Sequence, residues 1–153
     1  RHPVKIQAII LHQAGVLELQ LQLPMAYQPG KYVLLCCPQI SRLQWHPFTI
    51  TSAPHEPHLR LHIRPAGDWT RALISAFGVK LNPTAIIPPP KQAALSPLRL
   101  RLDGPWGAPT QAWREYSLLV CIGAGIGQTP FASLLKHLAT SQACEHVIFY
   151  GLC

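Results

Sequence analysis

The stretch that decides how this chain is interpreted is Trp45-His46-Pro47-Phe48-Thr49-Ile50-Thr51-Ser52-Ala53-Pro54. Pro47 has no amide donor and a fixed backbone angle, so a strand can begin there or run along a sheet edge. Residues 48–51 then have high strand propensity. An aromatic ring followed by a hydroxyl offers a flat apolar face and a small polar group, which a flavin ring needs. The residues alone also allow an ordinary strand with a buried Phe48 and an exposed Thr49.

A glycine-rich turn in the last quarter of the chain forms a second pattern, Gly123-Ala124-Gly125-Ile126-Gly127-Gln128-Thr129-Pro130. It follows the apolar run 117–122, which we expect to be a strand buried on both faces of a parallel sheet. A helix is predicted to about residue 140 and a strand at 147–150. Strand, glycine turn, helix and strand is the context of a nucleotide phosphate site. Because position 128 is Gln, the spacing is not Gly-x-Gly-x-x-Gly, and a tight structural turn is the alternative.

Short alternating runs fill the region before this turn. In residues 17–23 the leucines alternate with Glu18, Gln20 and Gln22, which predicts a half-buried antiparallel strand with these polar side chains facing away from the core. Other strands are predicted at 4–12, 31–37, 47–51, 59–64 and 98–102. Sixteen prolines and ten glycines favour turns over long helices. We therefore expect a six-stranded antiparallel barrel, and we find no chemistry in its first hairpin.

An anion site is predicted between residues 60 and 77. Arg60, His62 and Arg64 alternate with apolar residues and share one face of a strand, where an arginine can bond two phosphate oxygens. Asp68 is predicted to cap a helix over 70–77, and a helix start presents free amides to an anion. A solvated strand edge is the alternative interpretation.

Composition limits the possible classes. The chain has 153 residues and a formal charge of +7, which attracts anions. The cations are scattered, which argues against nucleic acid and allows nucleotide phosphates or an anionic membrane surface.

Five cysteines without a Cys-x-x-Cys spacing indicate neither a zinc site nor a disulfide scaffold, so we expect reduced thiols and no metal. No apolar run has membrane-spanning length, and the chain is expected to be soluble. A Pro-rich loop is predicted at 82–97.

The strand His46-Pro47-Phe48-Thr49 resembles the flavin-contacting strand of the ferredoxin-NADP reductase superfamily, in the form used by NADPH oxidases and ferric reductases. The resemblance runs almost the whole chain and includes four further segments. These are the strand entry at 27–33, the flavin pyrophosphate segment at 62–70, the end of the flavin domain at 103–107 and the nicotinamide turn at 123–130. The branch implied is the cytosolic dehydrogenase module of an NADPH oxidase.

The resemblance implies mixed β and α/β architecture, with an FAD-binding β-barrel domain at 1–110 and the first strand-helix-strand unit of an incomplete NADPH-binding domain at 111–153. Phe48 would stack on the flavin, with Thr49 near its reactive nitrogen. The residues predicted to hold the two cofactors are His46, Pro47, Phe48, Thr49, Thr51, Ser52, His62, Ile63, Arg64, Trp69, Thr70, Gly123, Gly125, Ile126, Gly127, Thr129 and Pro130. The residues that choose between NADPH and NADH would lie beyond Cys153, so that preference stays open.

The expected function is transfer of hydride from NADPH to FAD, followed by single electrons passing to haem and to oxygen as final acceptor, with superoxide as product. The haem would belong to a preceding transmembrane domain of the same polypeptide, which places this module on the cytosolic face of a membrane. Two alternatives remain at this point. One is a reductase of the same superfamily that serves ferric chelates or another acceptor, and the other is a noncatalytic regulatory module. The 153 residues alone are expected to be poorly active.

Overall fold

The computed structural model describes residues 2–12, 15–22, 25–78, 98–107, 109–141 and 146–152. Within these ranges, seven strands and one helix precede residue 108. The strands are β1 (His2–Val4), β2 (Ile6–Leu11), β3 (Leu17–Gln22), β4 (Tyr32–Cys36), β5 (His46–Thr49), β6 (His58–Ile63) and β7 (Leu100–Trp106). Helix α1 (Asp68–Ala76) lies between β6 and β7. The predicted Pro-rich loop falls outside the described residues.

Two antiparallel sheets form the first part of the fold, with strand orders β1-β7-β4-β5 and β2-β3-β6. The predicted first strand is divided at Lys5, so that β1 joins one sheet and β2 the other. The two sheets are also connected where β5 lies near β6, by an isolated bridge between Ile50, directly after β5, and Leu61 of β6. In the part of the barrel that the structure describes, six predicted strands thus become seven segments, and the hydrogen-bond ladder between them is not continuous.

The core of this barrel comes from the alternating leucines. In the β3–β6 pair, Leu17 faces Ile63, Leu19 faces Leu61 and Leu21 faces Leu59, and all six side chains are fully buried. Directly opposed apolar side chains on one face are the pairs that stabilise a sheet. Leu73 and Ile74 of α1 join the same cluster. The predicted half-buried strand at 17–23 is confirmed in its apolar face.

The second part of the chain contains a 3₁₀ helix (Pro109–Glu115), β8 (Leu118–Ala124), a 3₁₀ turn (Gly125–Gln128), α2 (Thr129–Ser141) and β9 (His146–Leu152). Strands β8 and β9 are parallel. A small second core forms where Trp113 meets Leu134 and Leu138 of α2. The predicted order of strand, glycine turn, helix and strand is confirmed.

One prediction about β8 is wrong. Its apolar run was expected to be buried on both faces, yet Leu118, Val120 and Ile122 are 52%, 55% and 68% exposed. Helix α2 and Trp113 pack on the face that carries Leu119, and no described element covers the other face. A continuous apolar run shows that both faces suit burial but does not supply the second covering layer.

Two further findings concern cysteines and membrane spans. Cys36, Cys37 and Cys121 are buried and form no disulfide with one another, while Cys144 and Cys153 fall outside the described residues. None of the helices in the described ranges combines the length and apolarity needed to cross a membrane.

Candidate functional site

A groove of about 930 Å³ runs along the barrel from β5 to the start of α1. One wall is formed by strand β5, since all four of its residues line the groove. Arg64 and the loop that enters α1 form another part of the lining, and Ile126 of the 3₁₀ turn after β8 also contributes to it. The lining residues are Gln44, His46, Pro47, Phe48, Thr49, His62, Arg64, Pro65, Ala66, Gly67, Asp68, Trp69, Thr70, Arg71, Ile126 and Thr129.

An aromatic wall, made of His46, Phe48 and Trp69, stands at the β5 end of the groove. The His46 ring stacks on the Trp69 indole with centroids 4.2 Å apart, and the Phe48 ring lies 6.2 Å from the same indole at 30°. Trp69 comes from α1 and is buried in the barrel core. The wall therefore presents flat apolar surface, and its position is fixed by core packing.

The Arg64 end of the groove is polar. Arg64 is exposed and forms no ion pair with any residue that the structure describes. Beside it, the amides of Ala66 and Gly67 donate to Thr70 Oγ1 at 3.1 and 3.0 Å, and the Thr70 hydroxyl donates to the Gly67 carbonyl. Thr70 thus orders the loop next to an uncompensated positive charge. This arrangement suits an anion.

The predicted helix cap is wrong. Helix α1 begins at Asp68 rather than near Thr70, and Gly67 occupies the N-cap position. Asp68 lies in the first turn, where its exposed carboxylate faces Arg71 at 3.7 Å. The prediction failed because aspartate suits both the cap and the first turn of a helix, and sequence alone does not separate these positions.

Three predicted site residues are buried in the barrel away from the groove lining. Ser52 is fully buried, and its Oγ lies 2.7 Å from the Tyr27 hydroxyl and accepts the Arg60 amide at 3.0 Å. Ile63 belongs to the core. Thr51 is almost fully buried, with its Oγ1 2.8 Å from His62 Nδ1. These contacts hold the segment after β5 in place, and none of the three side chains lines the groove.

The glycine turn meets the barrel at Arg64. If Gly125 carried a Cβ, that atom would lie 4.0 Å from Arg64 Nη1, and Gly125 has a positive φ of 49°. Gln128, which breaks the dinucleotide spacing, donates its amide to the Leu152 carbonyl at 2.9 Å and so ties the turn to β9. A cavity of about 550 Å³ lies between turn and barrel, lined by His12, Val16, Thr51, His62, Arg64, Gly125, Ile126, Gln128, Thr129 and Ala132.

We expect Gly123→Ala and Gly127→Ala to differ. A Cβ at Gly123 would lie 3.1 Å from the Gln128 Cα and 3.3 Å from the Gly127 carbonyl oxygen, whereas a Cβ at Gly127 would meet nothing within 4 Å. Gly123→Ala should lower the free energy of unfolding by about 1–3 kcal/mol. Gly127→Ala should leave it unchanged and weaken nicotinamide nucleotide binding if the turn holds phosphates. Thermal unfolding measures the stability of the two variants. Equal destabilisation by Gly123→Ala and Gly127→Ala would contradict the prediction.

A second cleft, of about 500 Å³, adjoins β5. Pro47 and Thr49 line it together with Gly30, Tyr32, Thr110, Pro130 and Phe131. Pro130 and Phe131 begin helix α2, directly after the glycine turn. Pro47 and Thr49 of β5 therefore line both the groove and a cleft that the second part of the chain helps to form.

Sequence reasoning missed a polar cluster in the first hairpin, which we call the Glu18 cluster: His12, Glu18, Arg60 and His62. Glu18 was expected to face away from the core, but it is only 6% exposed. Its Oε2 lies 2.8 Å from His12 Nε2 and 3.5 Å from His62 Nε2, and its Oε1 accepts the Gln20 amide at 2.8 Å. The available signal was a glutamate amid leucines near the start of a strand, six residues after His12.

Glu18 should make the stability of the protein sensitive to acid. The hydrogen bond from His62, with those from Gln20 and His12, holds the pKa of Glu18 well below its ordinary 4.5 against the opposing effect of burial. Its contribution is therefore complete above about pH 4.5 and is lost as pH falls from there toward the depressed value. Glu18→Gln should make the free energy of unfolding less dependent on pH below 4.5. Urea unfolding measures this, with a chelator present so that no metal ion contributes. If the variant kept the pH dependence of the unchanged protein below pH 4.5, the prediction would be contradicted.

With this geometry in view, the chain can be compared with known proteins. The model of a family described as FAD-binding domain matches residues 1–110. A ferredoxin-NADP reductase from Neisseria gonorrhoeae, solved with bound FAD and NADP, superposes with a TM-score of 0.64 at 16% identity, covering 98% of this chain and 56% of that one. Phthalate dioxygenase reductase gives 0.68 at 12% identity, covering 98% and 43%. The fold is that of the ferredoxin-NADP reductases.

Relatives with higher identity are oxidases. Human NADPH oxidase 3 is 43% identical over 160 aligned positions, covering 98% of this chain and 27% of the relative. Respiratory burst oxidase homolog protein F of Arabidopsis thaliana is 38% identical over 144 positions, covering 90% and 15%. A superoxide-generating NADPH oxidase heavy chain of Dictyostelium discoideum is 40% identical over 141 positions, covering 88% and 20%. The chain thus spans about a quarter or less of these relatives.

The fold and the family match define the class of this protein as an FAD-binding domain with the ferredoxin-NADP reductase fold. Within that class, the chain belongs to the FAD-binding domain family and is a homologue of the NADPH oxidases.

Proposed function

We propose that the groove binds FAD and that this chain is the flavin-binding part of an NADPH oxidase. The observation that carries the proposal is the groove itself, which joins the aromatic wall at β5 to the unpaired charge of Arg64. A dinucleotide flavin needs both an apolar face for its ring system and a cation for its pyrophosphate. Family membership over residues 1–110 supports the same assignment.

The residues present fit this cofactor. Arg64 has no carboxylate partner among the described residues, and Thr70 has already arranged the neighbouring loop, so a diphosphate would need little rearrangement there. Trp69 lines the groove, and its indole Nε1 has no acceptor among the described residues. At the turn, the space beside Gly127 is open where a side chain would otherwise stand.

Bound FAD would supply the conversion of a two-electron donor into single electrons. The chain's own part is to bind and orient. Phe48 would stack against the flavin ring and Thr49 would lie near the reactive nitrogen at the groove surface of β5. His46 and Arg64 would position the phosphates, and Tyr27 would keep the segment after β5 rigid through contacts to Ser52 and Ala53.

The proposed hydride donor is NADPH, held with its pyrophosphate across the glycine turn. The second cleft favours this arrangement, because Thr49 of the flavin groove and Pro130 of the turn's helix both line it. A nicotinamide ring in that cleft would lie beside Pro47 and Thr49, which also line the flavin groove. Division of the chain into 1–110 and 111–153 belongs to the same proposal and agrees with the end of the family match at 110.

For the whole protein we propose electron transfer to haem in a transmembrane domain of the same polypeptide, and then to molecular oxygen to form superoxide. One relative bears the name superoxide-generating NADPH oxidase. The module would then lie on the cytosolic face of a membrane. In the full-length protein, NADPH-dependent superoxide formation supports this assignment, whereas reduction of ferric chelates without superoxide would favour a ferric reductase.

Flavin titration of the full chain tests the binding proposal. FAD fluorescence is followed with FMN as competitor, for the unchanged protein and for Phe48→Ala, with Phe48→Leu as an apolar control. Saturable binding that prefers FAD is expected. Phe48→Ala should weaken this binding by about 5- to 150-fold, because the aromatic ring that stacks on the flavin is lost. Absence of saturable binding in a folded protein would overturn the proposal.

A further inference from the structure

Three potential metal ligands from three different strands meet in the Glu18 cluster. His12 follows β2, Glu18 lies on β3 and His62 lies on β6. Their ligand atoms all lie within 4.8 Å of one another. The flavin proposal uses neither His12 nor Glu18. We propose that His12, Glu18 and His62 form a binding site for a zinc ion.

The carboxylate of Glu18 is oriented for this role. Its Oε1 accepts the Gln20 amide at 2.8 Å and faces Arg60 Nε at 3.9 Å. Its Oε2 is left facing the two imidazoles, at 2.8 Å from His12 Nε2 and 3.5 Å from His62 Nε2. One oxygen is thus held by the Gln20 amide, while a cation bound at the other would take the place of the proton between Oε2 and His12.

His62 has the outer contact that metal-binding histidines generally have. Its Nδ1 lies 2.8 Å from Thr51 Oγ1, and that hydroxyl lies 3.0 Å from the Arg60 carbonyl. When the hydroxyl donates to the carbonyl it accepts the proton on Nδ1, so a cation that replaces the Nε2 proton would meet the Nε2 lone pair on the side of Glu18. An outer-shell acceptor of this kind fixes both the tautomer and the direction of the ring.

Zinc fits this donor set. Two imidazole nitrogens and one carboxylate oxygen are ligands that Zn²⁺ takes, and three protein ligands leave a fourth tetrahedral position open. The His12 side chain is 44% exposed, which gives an ion a route of entry. His12, His62 and Thr51 line the cavity between barrel and glycine turn, so a water molecule there would complete the coordination.

The test is titration of the full chain with Zn²⁺ alone by calorimetry, with Co²⁺ absorption as a spectroscopic readout. We expect one ion per chain and the visible bands of tetrahedral Co²⁺. His12→Ala removes a ligand from the surface, and Thr51→Val removes the contact to His62 while keeping the side-chain shape. Thr51→Val should weaken binding by about 10- to 100-fold, and His12→Ala at least as much. The matched control is His55→Ala, an exposed histidine outside the cluster, which should bind zinc like the unchanged protein.

Folding is monitored by circular dichroism so that a lost site is distinguished from a lost structure. Zinc should raise the unfolding temperature of the unchanged protein and of His55→Ala but not of His12→Ala, because a ligand stabilises only the state that binds it. The proposal is overturned if the folded chain takes up no zinc, if His12→Ala binds as tightly as His55→Ala, or if a thiolate charge-transfer band shows that Co²⁺ sits on cysteine. None of these outcomes depends on flavin binding.

Discussion

Arg64→Gln is expected to weaken FAD binding by about 10- to 150-fold, the effect of losing a charged hydrogen-bonding partner for phosphate. Glutamine keeps a polar side chain of similar reach and removes the charge. Arg64 lines both the groove and the cavity at the glycine turn, so an anion in either place would face it. Fluorescence titration with FAD measures the change.

The matched control is Arg101→Gln. Arg101 is exposed on β7 and lies outside the groove lining, so its loss lowers the net charge equally without removing a phosphate contact. Raising the ionic strength should weaken FAD binding more in the unchanged protein than in Arg64→Gln, because salt screens the charge that the variant lacks. Equal losses in the two variants would mean that Arg64 acts only through overall charge.

Trp69→Ala is expected to have the largest effect on stability, a loss of about 3–5 kcal/mol in the free energy of unfolding. The indole is buried between the barrel core and the groove and stacks on His46 and Phe48. Since whole domains are stable by only about 5–15 kcal/mol, the variant should be marginally folded. Chemical unfolding followed by circular dichroism gives the value.

Trp69→Phe separates packing from hydrogen bonding. The indole Nε1 is buried without an acceptor among the described residues, so its removal should cost little and phenylalanine should restore most of the stability. If Nε1 donates to bound FAD, Trp69→Phe should still bind the flavin more weakly. A Trp69→Phe protein as unstable as Trp69→Ala would contradict the packing explanation.

The sequence predicted those features that depend on local pattern. Alternating leucines located β3 and the opposed face of β6, and the glycine spacing located the turn between β8 and α2. The ring contacts of the aromatic wall were not predictable, because Trp69 reaches His46 only after α1 has packed on the barrel. Glu18 was assigned to the wrong environment because strand alternation describes one face and says nothing of what covers the other.

Pairing between distant segments explains the remaining differences. The break at Lys5 appears only when β1 pairs with β7, about a hundred residues later in the chain, and β2 pairs with β3. The exposed face of β8 likewise depends on which elements lie beside it, and not on its own residues. Local propensity is a weak guide where such long-range contacts decide burial.

Strand β5 borders both the flavin groove and the second cleft through Pro47 and Thr49. Occupants of these two spaces would touch the same two residues, and a shift of β5 would change the contacts of both. Their binding free energies should therefore be coupled, and the coupling must be reciprocal. If one ligand changes the affinity of the other by some factor, the second changes the affinity of the first by the same factor. In this fold, a single four-residue strand would act as the thermodynamic link between electron donor and acceptor.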